Sequence, residues 1–383
     1  MRYRAKVLMI LMGFGMIVFG AGTSGLAAEY PQEAKIGAIF CMSGPGAVYG
    51  TTMKNGAELA VDHVNQDGGL GGKIVVKLIV EDHAGKPAMG VNAMNKLINI
   101  DKVPFVLSSY TSVTLSIIPF AEKAKVTVVN GGGQGNELSG CSPFVFNDLP
   151  VVGNEIRIMA KFAYEQLGKT SAILADTTEA GLSFTEAWKE QFTKLGGKVI
   201  ETLTAPYGTT DYRSRLIKIK AANPAVVYPA GLHARDARIF LQQLKEMGIK
   251  AVPVGTATTV GGGTMADPAA VGMYHTMLAW NPKGNFVEAY KKKYGSNPDM
   301  YAANMYNGVV ILNEATRVIL KNNWEFNGDS IRKAIEKTRD FEGVNGPIKF
   351  GNDNVAKTDI NICIIEEGGK DKIIETIPVS KQD

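Results

Sequence analysis

Residues 35–87 read KIGAIFCMSGPGAVYGTTMKNGAELAVDHVNQDGGLGGKIVVKLIVEDHAGKP, and this stretch decides the fold. The run at 35–40 is short and apolar, with strand character, and SGPGAVYG at 43–50 is a loop of special backbone positions. From 51 to 65, Met53, Ala57, Leu59, Val61 and Val64 recur at helical spacing, and DGGLGG stops that helix. A second strand is expected at 74–81. The alternation continues with a helix at 88–100, a strand at 103–108, a helix at 114–124 and a strand at 126–130. A period of roughly thirty residues marks βαβ units on a parallel sheet.

After 144–146 the pattern restarts, with helices at 154–167, 184–195, 212–221 and 236–247 and strands at 171–175, 198–203, 225–228 and 252–255. Two such sets predict two lobes. The last third holds a run at 272–279, helices at 286–294, 301–321 and 330–337, and strand-like runs at 360–366 and 372–378. That is too little parallel-sheet pattern for a third lobe. These pieces are expected to return and complete the first two, with crossings near Pro150, His275 and Asn354 that act as a hinge around a ligand cleft.

Residues 1–28 carry Arg2, Arg4 and Lys6, then an apolar run, then small residues ending in Leu26-Ala27-Ala28. This reads as a cleaved secretory signal peptide, and periplasmic location follows as an expectation. Without those three basic residues the formal charge of +4 falls to +1, and no basic stripe remains to attract nucleic acid. Cys41, Cys141 and Cys363 permit at most one internal disulfide, and a buried inert thiol is the favoured reading for each. Four dispersed histidines make no metal motif, and no metal or cofactor is expected. GxSxG, HExxH and Walker patterns are absent, and SGPGAVYG lacks the GxGxxG order of a dinucleotide loop. No catalytic residues are assigned.

Ligands on open parallel sheets sit beyond the carboxyl ends of strands, which directs attention to the loops there. In the first lobe these hold Tyr49, then Ser108, Ser109, Tyr110, Thr111 and Ser112 at a helix start, then Gly132, Gly133 and Gln134. Hydroxyls and free N–H groups at a helix start suit a carboxylate. In the second lobe they hold Glu179, His233, Arg235, Thr256, Ala257, Thr258 and Thr259, with His275 on the possible crossing strand. Arg235 can pair a carboxylate and His233 can donate to one.

The chain resembles the solute-binding proteins of branched-chain amino acid ABC importers, the leucine/isoleucine/valine-binding type of periplasmic binding protein. The resemblance is carried by SGP, YG, NGAELAVDHVN and GG within 35–87, by IKAANPAVVYPAG at 219–231 and by MYAANMYNGVVILNEA at 300–315, and covers essentially the whole chain after the leader. It implies a type I fold: two Rossmann-like α/β lobes with parallel-core sheets and a three-stranded hinge. The expected division is 29–148 with 276–352, and 149–275 with 353–383. It also implies a protein without enzymatic activity that delivers a small molecule to a membrane permease and its ATPase; a monomer is the working expectation, since nothing in the sequence requires a multimer.

By the same resemblance, Tyr49 is the first-loop aromatic, Tyr110, Thr111 and Ser112 hold a carboxylate, and Gly132, Gly133 and Gln134 form the next loop. The position that pairs a ligand ammonium reads Ala257, between Thr256 and Thr258, and a second-lobe tyrosine position reads Ala180. A buried ammonium without a charged partner is costly, although the nearby Glu179 offers one. The expectation drawn is therefore an aromatic monocarboxylate, with branched-chain or other amino acids, or urea and short amides, as alternatives. A secreted α/β hydrolase is the alternative from another class.

Overall fold

The computed structural model describes residues 29–44, 46–232, 234–260, 263–279 and 284–382, without the side chains of Glu179 and Ala234. The expected leader at 1–28 and the candidate His233 lie outside the described residues. No described helix is long and apolar enough to cross a membrane.

The first lobe begins β1 (Glu33–Phe40), α1 (Ala47–Gln66), β2 (Val75–Asp82), α2 (Pro87–Lys96), β3 (Phe105–Ser108), α3 (Thr111–Ala124), β4 (Thr127–Asn130) and β5 (Val145–Asn147). These strands form a parallel sheet in the order β2-β1-β3-β4-β5. Every residue of β3 and β4 is buried. Such strands read as continuous apolar runs because helices cover both faces of the sheet. The π-turn at Leu97–Asp101 prolongs α2, and α3 starts three residues ahead of the expected 114.

The second lobe contributes α4 (Val152–Phe162), β6 (Thr170–Asp176), α5 (Glu179–Lys194), β7 (Lys198–Ala205), α6 (Arg213–Ala222), β8 (Val226–Ala230), α7 (Ala234–Glu246), β9 (Val252–Gly255), α8 (Ala257–Val260) and β10 (Tyr274–Leu278). The chain returns through α9 (Phe286–Tyr294), α10 (Met300–Lys321), α11 (Gly328–Thr338), β11 (Asp340–Gly343), β12 (Gly346–Phe350) and β13 (Ala356–Lys357), then ends in β14 (Ile360–Glu366) and β15 (Lys370–Ile377). The second sheet runs β15-β14-β10-β9-β8-β6-β7, and β14 alone is reversed, antiparallel to both β10 and β15. Its core is pinned by Trp188, which stacks on Tyr228 at 4.5 Å and donates from Nε1 to Ser171 Oγ at 3.0 Å.

α10 and α11 pack on the first sheet, where Met305, Val309 and Ile331 share one core with Met53, Ala57 and Leu107. α1 and α10 approach so closely that a Cβ on Gly56 would fall 1.9 Å from the Ala302 carbonyl oxygen. The three-stranded sheet β11-β12-β13 was not among the expected strands. Its strands are short and half-exposed, so their apolar residues, Phe341, Ile348 and Phe350, are too few to show a period.

The chain passes between the lobes at 148–151, after Leu278, and at 358–359. β10 stays within the second sheet to its end, and β13 stays with the first-lobe core, so both later crossings lie beyond the expected 275/276 and 352/353. His275 lies inside β10 and Asn354 just ahead of β13, so each of these crossings follows the named residue by a few positions. Cys41, Cys141 and Cys363 are free thiols.

Candidate ligand-binding cleft

β1, β3 and β4 end at the same edge of the first sheet, where the start of α3 and the glycine loop at 131–135 meet. Tyr110 precedes α3 with φ of 64°, a conformation unfavourable for a bulky side chain, and offers no side-chain cap. Its ring is held inward by an edge contact with His83 at 4.9 Å and by its hydroxyl against Cys41. The first N–H groups of α3 are thus left without a side-chain cap beside Thr111 and the exposed Ser112. Thr111 Oγ1 accepts from the Gly135 N–H at 2.9 Å and keeps its own proton to donate.

Close packing explains the glycines. A Cβ on Gly133 would lie 2.7 Å from the Thr111 nitrogen, and one on Gly132 would lie 2.5 Å from Met53 Cε. The loop is pressed onto the helix start, and the glycines serve that contact first.

Ser109 corrects the expectation that it touches ligand. It is fully buried, donates to the Ile39 carbonyl at 3.2 Å and meets His83 Nε2 at 3.0 Å. Because His83 Nδ1 accepts from the Gly85 N–H at 2.9 Å, Nε2 carries the ring proton and donates it to Ser109. Ser108 is likewise spent on Thr114, at 3.0 Å. Tyr49 sits at the start of α1 with its ring edge-on to Tyr301 of α10, centroids 5.7 Å apart.

Across the cleft, β6, β8 and β9 end at the facing edge. Glu179 opens α5 behind an N-cap by Thr178, whose hydroxyl accepts from the Gly181 N–H. Arg235 turns onto its neighbour Asp236, at 3.0 and 3.1 Å, and onto the Gly208 carbonyl, so its guanidinium is already paired. Thr258 Oγ1 lies 2.8 Å from Thr256 Oγ1. His275 does not face the cleft: it is fully buried within the second sheet, with Nε2 2.8 Å from Asp371.

Glu155 is the residue that the sequence reading missed. It lies in the first turn of α4, fully buried, on the same face as Val152, Ile156, Met159 and Ala160. Its carboxylate accepts from Gln134 Nε2 at 3.0 Å, Thr276 Oγ1 at 2.8 Å and the Ala257 N–H at 3.3 Å. Burial pushes its pKa up and those donors pull it back. No lysine or arginine among the described residues pairs with it. Glu155 thus brings a carboxylate from α4 to the Ala257 backbone. An acidic residue on the apolar face of an amphipathic helix was the available signal.

Two cavities lie elsewhere. One of about 820 Å³ opens at the amino-terminal edge of the first sheet, by Glu33, Lys35, Val103 and Lys125, opposite the loops described above. The other, about 400 Å³, lies beside Asp148 and Asn307 at the crossings.

A family profile described as periplasmic binding protein matches residues 33–370. The Leu/Ile/Val-binding protein homolog 3 of Brucella melitensis is 29% identical over 238 residues, 61% of this chain and 64% of that protein, so the match spans slightly less than two thirds of its length. The Leu/Ile/Val-binding protein homolog 1 of Brucella suis is 24% identical over 329 residues, 83% of this chain and 86% of that one. Among solved structures, an ABC transporter substrate-binding protein from Sphaerobacter thermophilus superposes with a TM-score of 0.80 at 25% identity, covering 90% of this chain and 98% of its own.

Proposed function

Because the chain belongs to the periplasmic binding protein family, we propose that it is the extracytoplasmic solute-binding component of an ABC importer and takes a small α-amino acid of the branched-chain class. The family binds and does not catalyse, which sets the hydrolase alternative aside. The observation that carries the amino-acid reading is Glu155: a buried carboxylate at the Ala257 amide with three neutral donors and, among the described residues, no lysine or arginine paired with it. An ammonium approaching along the line now held by Gln134 Nε2 supplies the missing charge. The names of the two Brucella relatives point the same way.

In this reading the uncapped start of α3, with Thr111 and Ser112, holds the ligand carboxylate. Tyr49 and Tyr301 line the space for the side chain. Gly132 and Gly133 bring the backbone close, and the start of α5 at Glu179, with Ala257 and Thr258, closes from the second lobe. Closure presents both lobes to a membrane permease driven by an ATPase. The protein acts as a monomer in the periplasm, after removal of residues 1–28.

An aromatic monocarboxylate is the second reading, favoured by Ala257 and by the Tyr49–Tyr301 pair. Calorimetry on wild type and Glu155→Gln separates the two. Leucine, isoleucine or valine should bind wild type and lose at least about tenfold in affinity in the variant, because a charge-assisted bond is removed. Binding of benzoate, 4-hydroxybenzoate or a cinnamate with no response to amino acids, unaltered by Glu155→Gln, overturns the proposal. Exclusive binding of urea or a short amide overturns the carboxylate assignment at α3 as well.

A further inference from the structure

β10, β14 and β15 lie side by side in the second sheet, and their register gathers three chemically different side chains on one face. His275 on β10 stands directly opposite Cys363 on β14. Cys363 is opposite Ile373 on β15, and Asp371, two residues along that strand, projects to the same face. The imidazole, thiol and carboxylate donor atoms all lie within 4.8 Å of one another. His275 and Cys363 are 0% and 1% exposed, whereas the Asp371 side chain is 19% exposed and opens the cluster to solvent.

The hydrogen bonds orient the ring for a cation. His275 lies between two acceptors, with Nδ1 3.1 Å from the Thr276 carbonyl oxygen and Nε2 2.8 Å from Asp371 Oδ1, so either ring nitrogen can carry the proton of the neutral imidazole. With that proton on Nδ1, Nε2 presents its lone pair on the side of Asp371 Oδ1 and is free to bind a cation. A ring N–H fixed by a carbonyl is the arrangement that orients metal-bound histidine.

We infer that His275, Cys363 and Asp371 form a binding site for a divalent transition-metal ion of the zinc class, with water completing a tetrahedral set. One imidazole nitrogen, one thiolate and one carboxylate oxygen match that ion's donor preference, and none of them is used in the ligand cleft. A thiol is ordinarily protonated at neutral pH. Binding replaces the S–H bond with an S–metal bond and releases that proton to solvent. The ion ties the strand that leaves the second lobe, β10, to the two that return to it, and so stiffens one side of the crossings. The sequence could not show this, because the ligands are scattered along the chain and only strand pairing assembles them. The inference does not rest on the identity of the transported solute.

The test titrates the reduced, chelator-stripped protein with Co2+ and then Zn2+. One equivalent of Co2+ should produce thiolate-to-cobalt charge-transfer absorption, Zn2+ should displace it, and Zn2+ should raise the thermal midpoint. Cys363→Ser should abolish the absorption, and Asp371→Asn, at the exposed edge, should weaken Zn2+ binding. Loss of a group that only orients a metal ligand costs about 10- to 100-fold in affinity, so loss of a direct ligand should cost at least about tenfold. Circular dichroism confirms that each variant is folded. No thiolate absorption in folded wild type overturns the site, and so does metal binding that Cys363→Ser leaves undiminished.

Discussion

Gln134 of the first lobe and Glu155 of the second are joined by a 3.0 Å hydrogen bond, the amide Nε2 donating to the carboxylate Oε1. The same amide reaches the Pro150 carbonyl at 3.3 Å, and the Gln134 carbonyl accepts from the Val152 N–H at 2.7 Å. One residue therefore ties the glycine loop after β4 to the first crossing between lobes. Asn136 adds a second tie, donating to Ser183 Oγ on α5 at 3.3 Å.

Replacing Gln134 with Ala should leave the buried Glu155 with two donors instead of three. An under-satisfied buried acceptor costs about 1–3 kcal/mol, so the urea midpoint should fall with the slope unchanged. Small-angle scattering of the ligand-free variant should show a larger radius of gyration. Wild-type stability and dimensions would remove this bridge from any role in lobe position.

Thr111→Ala should weaken ligand binding by roughly 1.5–3 kcal/mol, about tenfold to a hundredfold, through loss of a charge-assisted hydrogen bond to the carboxylate. It also strips the Gly135 N–H of its acceptor. Calorimetry reads the first effect, and faster amide exchange at Gly135 reads the second. Unchanged affinity would move the carboxylate away from α3.

His83 gives the fold a defined acid sensitivity. Burial, outweighing the nearby Asp82 charge, lowers its imidazole below the ordinary 6.5. The unfolded chain then binds more protons than the folded one in the window from 6.5 down to the lowered value, so stability falls as pH falls through it. Protonation would also set a donor at Nδ1 against the Gly85 N–H. His83→Gln should be less stable near neutral pH yet lose less between pH 7 and pH 5, as measured by urea unfolding across that range. A parallel pH slope in both proteins would count against this account.

Gly56→Ala tests the contact between α1 and α10. The added Cβ would fall 1.9 Å from the Ala302 carbonyl oxygen, part of the backbone, so the helices must separate. Overpacking of this kind costs about 1–3 kcal/mol or more, which should appear as a lower denaturation midpoint. Asn55→Ala, one residue away and joined to Tyr290 by a 3.5 Å contact, serves as a milder control.

Legibility followed sequence distance. β1, α1 and β2 could be read because period and punctuation lie within one continuous window, and the two-lobe division followed from counting such windows. β11 to β13 escaped because strands of two to five residues with one buried face carry only one or two apolar side chains each. At the proposed site, Tyr49, Thr111 and Gln134 stand out in the sequence by their place after strands. Ser109 was misjudged because its hydroxyl is directed inward by His83, a residue 26 positions away.

The chain by itself determined the alternation of strands and helices, the family, and the loops at the carboxyl ends of the strands, since each of these is written in neighbouring residues. Only the tertiary structure decided which polar groups those loops present. It buried Ser109, paired Arg235 with Asp236, and carried Glu155 from α4 to the Ala257 amide. It also turned His275 away from the cleft toward Cys363 and Asp371. Hydrogen-bond and metal chemistry depends on separations of a few ångströms between residues remote in sequence, and sheet order and helix packing set those separations.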